Sequence, residues 1–270
     1  SNATTIASNT LSIASNASAI SSLQSNTITS LGSDLVTGDE NLAVGSSFSA
    51  LSTGYSNTGI GSQALNNVTS GDNNTAVGKA ALTNNTTGVL NTALGSGALQ
   101  SNNGNSNTAL GNGSLILNTT GGNNTAVGVA TLNDNTTGSQ NIAIGHSSLY
   151  ANTIGSNNSA FGKDALKTNT SGNKNTGMGY KADVAMSTLE NATAIGANAV
   201  VDASNKIQLG DSNVTLVQTS GTVSASAFVG DGSGLTNLNI DVTGITSNTS
   251  NITSNATTIA SNTLSIASNA

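Results

Sequence analysis

The stretch Asn74–Leu90, "NTAVGKAALTNNTTGVL", is answered at Asn91 by "NTALGSGALQ", and this return decides the fold. Gly45, Gly61, Gly78, Gly95, Gly111, Gly128, Gly145, Gly162, Gly179 and Gly196 mark the same place in successive copies, at spacings of 16, 17, 17, 16, 17, 17, 17, 17 and 17 residues. A fixed period of this length is the signature of a stacked repeat.

Within each copy, a larger apolar residue stands just before the Gly, from Val44, Ile60 and Val77 to Phe161, Met178 and Ile195. The residue before that is Ala in eight of the ten copies. Four positions after the Gly comes Leu65, Leu82, Leu99, Leu115, Leu132, Leu149 or Leu166, preceded by a small residue such as Ala64, Ala81, Ala98 or Ser114. A second Gly closes most copies, at Gly71, Gly88, Gly121, Gly138, Gly155 and Gly172. The pattern predicts two short strands per copy, joined by turns of Asn, Thr and Gly. Seventeen residues are too few for a helical pair but enough for one coil of a parallel β-solenoid. With each rung about 4.8 Å above the last, some nine rungs stand roughly 45 Å tall. Neighbouring strand residues point to opposite faces, so an Ala-Val pair leaves one apolar face outside the roll. A strand apolar on both faces needs cover on both, which implies a second copy of the chain.

Composition agrees with a repeat and excludes much else. Only 7% of the 270 residues are charged and 2% aromatic, with no Pro, Cys or Trp, which is not the make-up of an ordinary enzyme core. Without a period, so much Asn, Ser, Thr and Gly would read as disorder. The net charge of -6 and pI near 4.3 argue against a nucleic-acid partner, whose phosphates such a chain repels. Absence of Cys removes disulfides and thiolate metal sites. No apolar run approaches the roughly 20 residues of a membrane span, so no membrane contact is expected in this segment.

Both ends follow a different period. Leu238, Ile245, Ile252, Ile259 and Ile266 fall seven apart, with Asn248, Asn255, Asn262 and Asn269 three residues after the last four. Near the start, Ile6 with Asn9, Ile13 with Asn16 and Ile20 with Leu23 keep the same frame, which slips between 23 and 35. Such heptads predict coiled coils. Ser, Thr and Asn are poor helix formers, so these helices depend on association. An Asn at a core position specifies register and copy number, and amides meeting on a shared axis can turn their NH₂ groups onto one central anion or water. Residues 1–17 recur at 254–270, which fits one period of an array repeating every 253 residues.

At this point the chain resembles the trimeric autotransporter adhesins. "TAVG", "TALG", "IAIG" and "TAIG" match the rungs of their YadA-like heads, while "IASNT" (6–10 and 259–263) and "ITSNT" (245–249) match their stalks. The likeness covers nearly the whole chain. The family's rung is about fourteen residues, a length found here only from Gly196 to Gly210, so the longer rung is a variant. The resemblance implies a mainly β fold: a homotrimer of left-handed parallel β-rolls flanked by parallel trimeric coiled coils. It divides the chain into an N-terminal stalk (1–35), a β-roll head (36–205), a neck (206–237) and a C-terminal stalk (238–270). It further implies chloride on the trimer axis at Asn9, Asn16, Asn248, Asn255, Asn262 and Asn269, and no other cofactor. The function implied is adhesion at the bacterial surface, outside the cell, to a glycan, a matrix protein or neighbouring cells. The neck, notably "SASAFVGDGSGLTNL" (224–238), also resembles connectors of phage tail fibres, which makes a virion fibre that recognises its host the alternative.

Candidates for chemistry are few. His146, the only histidine, follows the rung Gly and reads as a solvated surface residue, which leaves zinc sites and Ser-His-Asp triads without parts. Asp39 and Glu40 read as a turn before the first rung. "GDGSG" (230–234) lacks the Lys and helix of a phosphate loop; a calcium site on Asp231 is its secondary reading. The expectation is a protein that is not an enzyme.

Overall fold

The structure is a computed structural model and describes residues 2–32, 40–45, 53–225 and 243–269. After helix α1 (Asn2–Gly32) come strands β1 (Leu42–Val44), β2 (Thr58–Ile60), β3 (Thr75–Val77), β4 (Thr92–Leu94), β5 (Thr108–Leu110), β6 (Thr125–Val127) and β7 (Ile142–Ile144). They are followed by β8 (Ser159–Phe161), β9 (Thr176–Met178), β10 (Asp183–Val184), β11 (Thr193–Ile195), β12 (Val200–Val201), β13 (Ile207–Leu209) and helix α2 (Thr243–Ser268). Eleven strands form one parallel sheet in the order β1 to β9, β11, β13, and β10 pairs with β12 in a second sheet. Like residues stack on like: Thr75 opposes Thr92, Ala76 opposes Ala93 and Val77 opposes Leu94. This is the parallel β-solenoid that the period predicts.

One expectation is corrected. A rung holds one strand and not two, because the second apolar cluster is a turn. Leu65, Leu82, Leu99, Leu115, Leu132, Leu149 and Leu166 have φ between 47° and 52°, in the left-handed region where no strand continues. Each such residue costs about 1–2 kcal/mol, offset by full burial of a leucine at about 1.5–3 kcal/mol. All seven are completely buried. Their backbones still stack from rung to rung, as in the 3.0 Å bond from Leu82 N–H to the Ala98 carbonyl. The second sheet appears only at β10 and β12, where that leucine is absent from the sequence.

Each strand of the large sheet ends after three residues for a related reason. At Gly78 φ is +132°, and a Cβ there would lie 2.6 Å from the Gly95 carbonyl oxygen of the next rung. The tight corner therefore admits only glycine. Inside the roll, the strand alanines (Ala76, Ala93, Ala109, Ala126, Ala143, Ala160) meet the leucine column, giving a narrow core of small and branched side chains.

Two ladders of buried asparagine brace this core. The first runs through Asn41, Asn57, Asn74, Asn91, Asn107, Asn124, Asn141, Asn158 and Asn175, four residues before each rung Gly from Gly45 to Gly179. Asn124 is representative: its Oδ1 accepts the Asn141 N–H at 3.0 Å, and its Nδ2 donates to the Gly138 carbonyl at 2.9 Å. The second ladder comprises Asn85, Asn102, Asn118, Asn135, Asn152 and Asn169. There Asn135 Nδ2 donates to Asn118 Oδ1 at 2.7 Å and to the same Gly138 carbonyl at 2.9 Å. From Gly88 to Gly172 the closing glycine of each rung thus fastens both ladders, whereas Gly71, whose rung carries Val68 in the second ladder's place, holds only Asn57. Among the described residues no buried side-chain nitrogen or oxygen lacks a partner, the condition under which buried amides stabilise rather than cost.

The sheet runs on to Leu209, because β13 pairs with β11 from Thr193↔Ile207 to Ile195↔Leu209. It therefore continues four residues into the segment expected as a neck. Residues 226–242, including "GDGSG", lie outside the described residues, as does Asp39.

Candidate interaction surfaces

The strand pattern sets the outer face of the large sheet. Along β1 to β9 and β11 the middle residue is buried and its neighbours face outward, as in Thr92-Ala93-Leu94 and Thr108-Ala109-Leu110, while in β13 the middle Gln208 is half-buried. The larger apolar residue of every rung therefore lies outside, and the parallel register lines these residues up into one ridge from Val44 to Leu209. Leu94 is 46% and Leu110 43% exposed, and Ile60, Ile144, Met178 and Ile195 are similarly open. The Thr column beside it, including Thr75, Thr92, Thr108 and Thr125, makes that face mixed rather than purely oily.

Each of the two helices, taken by itself, presents a further incomplete surface. Ser and Thr hydroxyls bond back into the helix, Thr10 Oγ1 to the Ile6 carbonyl at 2.9 Å and Thr263 Oγ1 to the Ile259 carbonyl at 2.8 Å, which lets a polar sequence sit in a helix. Heptad isoleucines stay in solvent: Ile13 is 69% and Ile259 65% exposed, and Ile6, Ile252 and Ile266 match them. Of the residues expected to hold an anion, Asn9 and Asn16 lie exposed on α1 and Asn248, Asn255 and Asn262 on α2. Asn269 follows the last turn of α2, and its N–H donates to the carbonyls of Ser265 and Ile266 at 3.2 Å. Within one helix these amides sit a heptad apart. They converge only if helices associate.

Charge is concentrated at one end of the roll. Asp164, Lys167, Lys181, Asp183, Asn198 and Val200 line an open cavity of about 410 Å³ beside β10 and β12. Lys167 Nζ is 3.1 Å from Asp164 Oδ1. Burial pushes the Asp183 carboxyl above the ordinary range, and hydrogen bonds from Thr168 and the Val184 N–H pull the other way. Burial likewise raises Asp134. Asp202 is held below its ordinary value by Lys206, whose Nζ lies 2.7 Å from Asp202 Oδ1.

Other sequence candidates fall apart from one another. His146 is exposed at a rung corner. Glu40 accepts a 2.8 Å bond from Ser56 Oγ, linking the first two rungs. Among the described residues no group of three or more His, Asp or Glu is placed to hold a metal, and no helix is long and apolar enough to cross a membrane. Sequence reasoning missed the charged cavity and the asparagine ladders. The signal for the first ladder was in plain view, an Asn four before nine of the ten rung glycines, but Asn is so common here that it read as turn composition. Comparison with protein-family models and with curated proteins gives no match.

Proposed function

We propose that this chain is a non-enzymatic segment of a homotrimeric extracellular fibre, whose solenoid and helices together project an adhesive surface. The observation that carries the reading is the ridge from Val44 to Leu209, an apolar stripe that a single chain leaves in water along its whole sheet. A continuous exposed stripe of this kind marks an interface. The helices supply independent support, since isoleucine and asparagine alternate along a face that nothing in one chain covers. Three copies around one axis cover both surfaces: the ridges face each other, and the heptads close into left-handed coiled coils. The asparagine layers then point at the axis and bind chloride there. Bacterial surface attachment is the preferred setting, and a phage tail fibre with the same parts is the second.

Sedimentation equilibrium of the purified chain tests this, with three times the 26.3 kDa chain mass as the expected result. A monomer or stable dimer overturns it. Replacing Leu94 and Leu110 together by Lys should shift the mass toward one chain at micromolar concentration, while the far-ultraviolet circular dichroism of the solenoid persists.

A further inference from the structure

The cavity beside β10 and β12 has an order that its composition alone would not suggest. Its lining comes from three successive rungs, two residues from each: Asp164 with Lys167, Lys181 with Asp183, Asn198 with Val200. Asp164, Lys181 and Asn198 occupy one column, each following by 17 residues. Their N–H groups donate to His146, Lys163 and Tyr180 carbonyls of the preceding rung at 3.0, 3.0 and 2.8 Å. Earlier in the same column stand Gln63, Ala80, Gly97, Gly113, Ala130 and Ser147, all uncharged and, from Ala80 on, small. The charged pair Asp164 and Lys181 is therefore a local feature of the column. Four of the chain's six cationic residues, Lys163, Lys167, Lys174 and Lys181, also fall within residues 163–181, on a protein of net charge -6.

The unused bonding capacity says what would fit. Lys167 is already paired with Asp164. Asp183 accepts from Thr168 Oγ1 at 2.8 Å, from the Val184 N–H at 2.8 Å and from the Thr168 N–H, 3.2 Å from each carboxylate oxygen, which leaves lone pairs but no proton on its outer side. Lys181 makes no ion pair with any described residue and lies 5.3 Å from the centre of the Tyr180 ring, leaving its ammonium open to an anion. The Asn198 side chain is exposed, and Val200 offers a small apolar surface on the next rung. A metal cation would meet two ammonium groups here. A simple anion such as chloride or sulfate would meet two carboxylates with no proton to offer them. A neutral sugar would leave Lys181 without its counter-charge.

We infer that this cavity binds an acidic saccharide, with the sugar carboxylate on Lys181, hydroxyl groups donating to Asp183 and Asp164, the Asn198 amide on a further hydroxyl, and the ring lying on Val200. A sugar acid carries on adjacent carbons both the anion and the donors that this mixed wall needs. This assignment rests on the adhesive reading above and gives it a ligand class. The six lining residues include none from the eleven-stranded sheet, so site and ridge share no side chain.

The full chain should be titrated by calorimetry and ligand-observed NMR with 3′-sialyllactose and with trigalacturonic acid, against lactose as the neutral comparison. The expected result is saturable, weak binding of at least one acidic sugar, on the order of millimolar for an open pocket, with lactose at least about tenfold weaker. Lys181→Ala should weaken the acidic sugar about tenfold, to the level of lactose. That variant folds on the precedent of its own column, where Ala80 and Ala130 hold φ of 58° and 53° beside the 55° of Lys181. Lys174→Ala, outside the cavity, should change nothing. Failure of both acidic sugars to saturate, equal binding of lactose, or full affinity in Lys181→Ala each overturns the assignment. Sedimentation of the same samples separates the two readings: a trimer that binds no acidic sugar overturns the ligand alone, and a monomer that binds one overturns the trimer alone.

Discussion

Asparagine lives two different lives in this chain. In the solenoid, Asn124 is fully buried and its amide meets Asn107, Asn141 and Gly138 within one polypeptide. On α2, Asn255 and Asn262 stand in solvent, spaced by a heptad and out of reach of one another. The residue type is the same and the difference lies in what stacks on it. A solenoid brings the next copy of the residue one strand spacing away, about 4.8 Å, whereas a heptad repeat along one helix separates copies by about 10 Å. The roll therefore satisfies its amides alone, and the helices need other chains.

That contrast predicts opposite signs for similar substitutions. Asn124→Leu removes the acceptor of the Asn141 N–H and leaves it buried without a partner. We expect a loss of about 2–5 kcal/mol of solenoid stability from the orphaned donor and the crowding of a branched side chain, read by urea denaturation; a neutral result would mean that the ladder does not hold the rungs. Asn255→Ile with Asn262→Ile should instead stabilise α2 in the assembled fibre, by about 1–2 kcal/mol per apolar layer gained. Axial anion density should vanish in a crystal of that variant, and its melting should lose any dependence on chloride. Destabilisation would place those residues outside the helical core.

The smallest effect sharpens the charged end of the roll. Because burial raises the Asp183 carboxyl above its ordinary 3.8, the folded state holds this proton more tightly than the unfolded chain does. Its contribution then favours folding at low pH and is lost as pH rises from about 3.8 through the raised value. Asp183→Asn should flatten that part of the stability profile between acid and neutral pH, as followed by thermal melts at a series of pH values. An unchanged slope would assign the dependence to another carboxylate, Asp134 first.

How much of this was legible in advance varied with the distance over which the cause acts. Glycine spacing announced the rungs, because a corner with φ near +130° and a neighbouring carbonyl within 3 Å tolerates no side chain, and that demand repeats with the fold. The alternation of Ala and larger residues correctly implied a two-faced strand. The leucine cluster was misread as a second strand, since apolar clustering reports burial and not φ, and Leu82 at φ 50° is buried all the same. The cavity was hidden for another reason: Asp164, Lys181 and Asn198 look scattered along the chain and meet only because the solenoid stacks them.

The sequence by itself determined the period, the glycine corners, the heptads and the poverty of catalytic parts, all of which are local or strictly repetitive demands on residue type. Only the tertiary structure decided which apolar residue of each rung turns outward, that leucine closes a turn, that asparagines become ladders and that six residues from three rungs make one cavity. The physical reason is that these depend on backbone stacking between residues some 17 positions apart, where hydrogen bonds and burial are settled by neighbours that the linear order does not show.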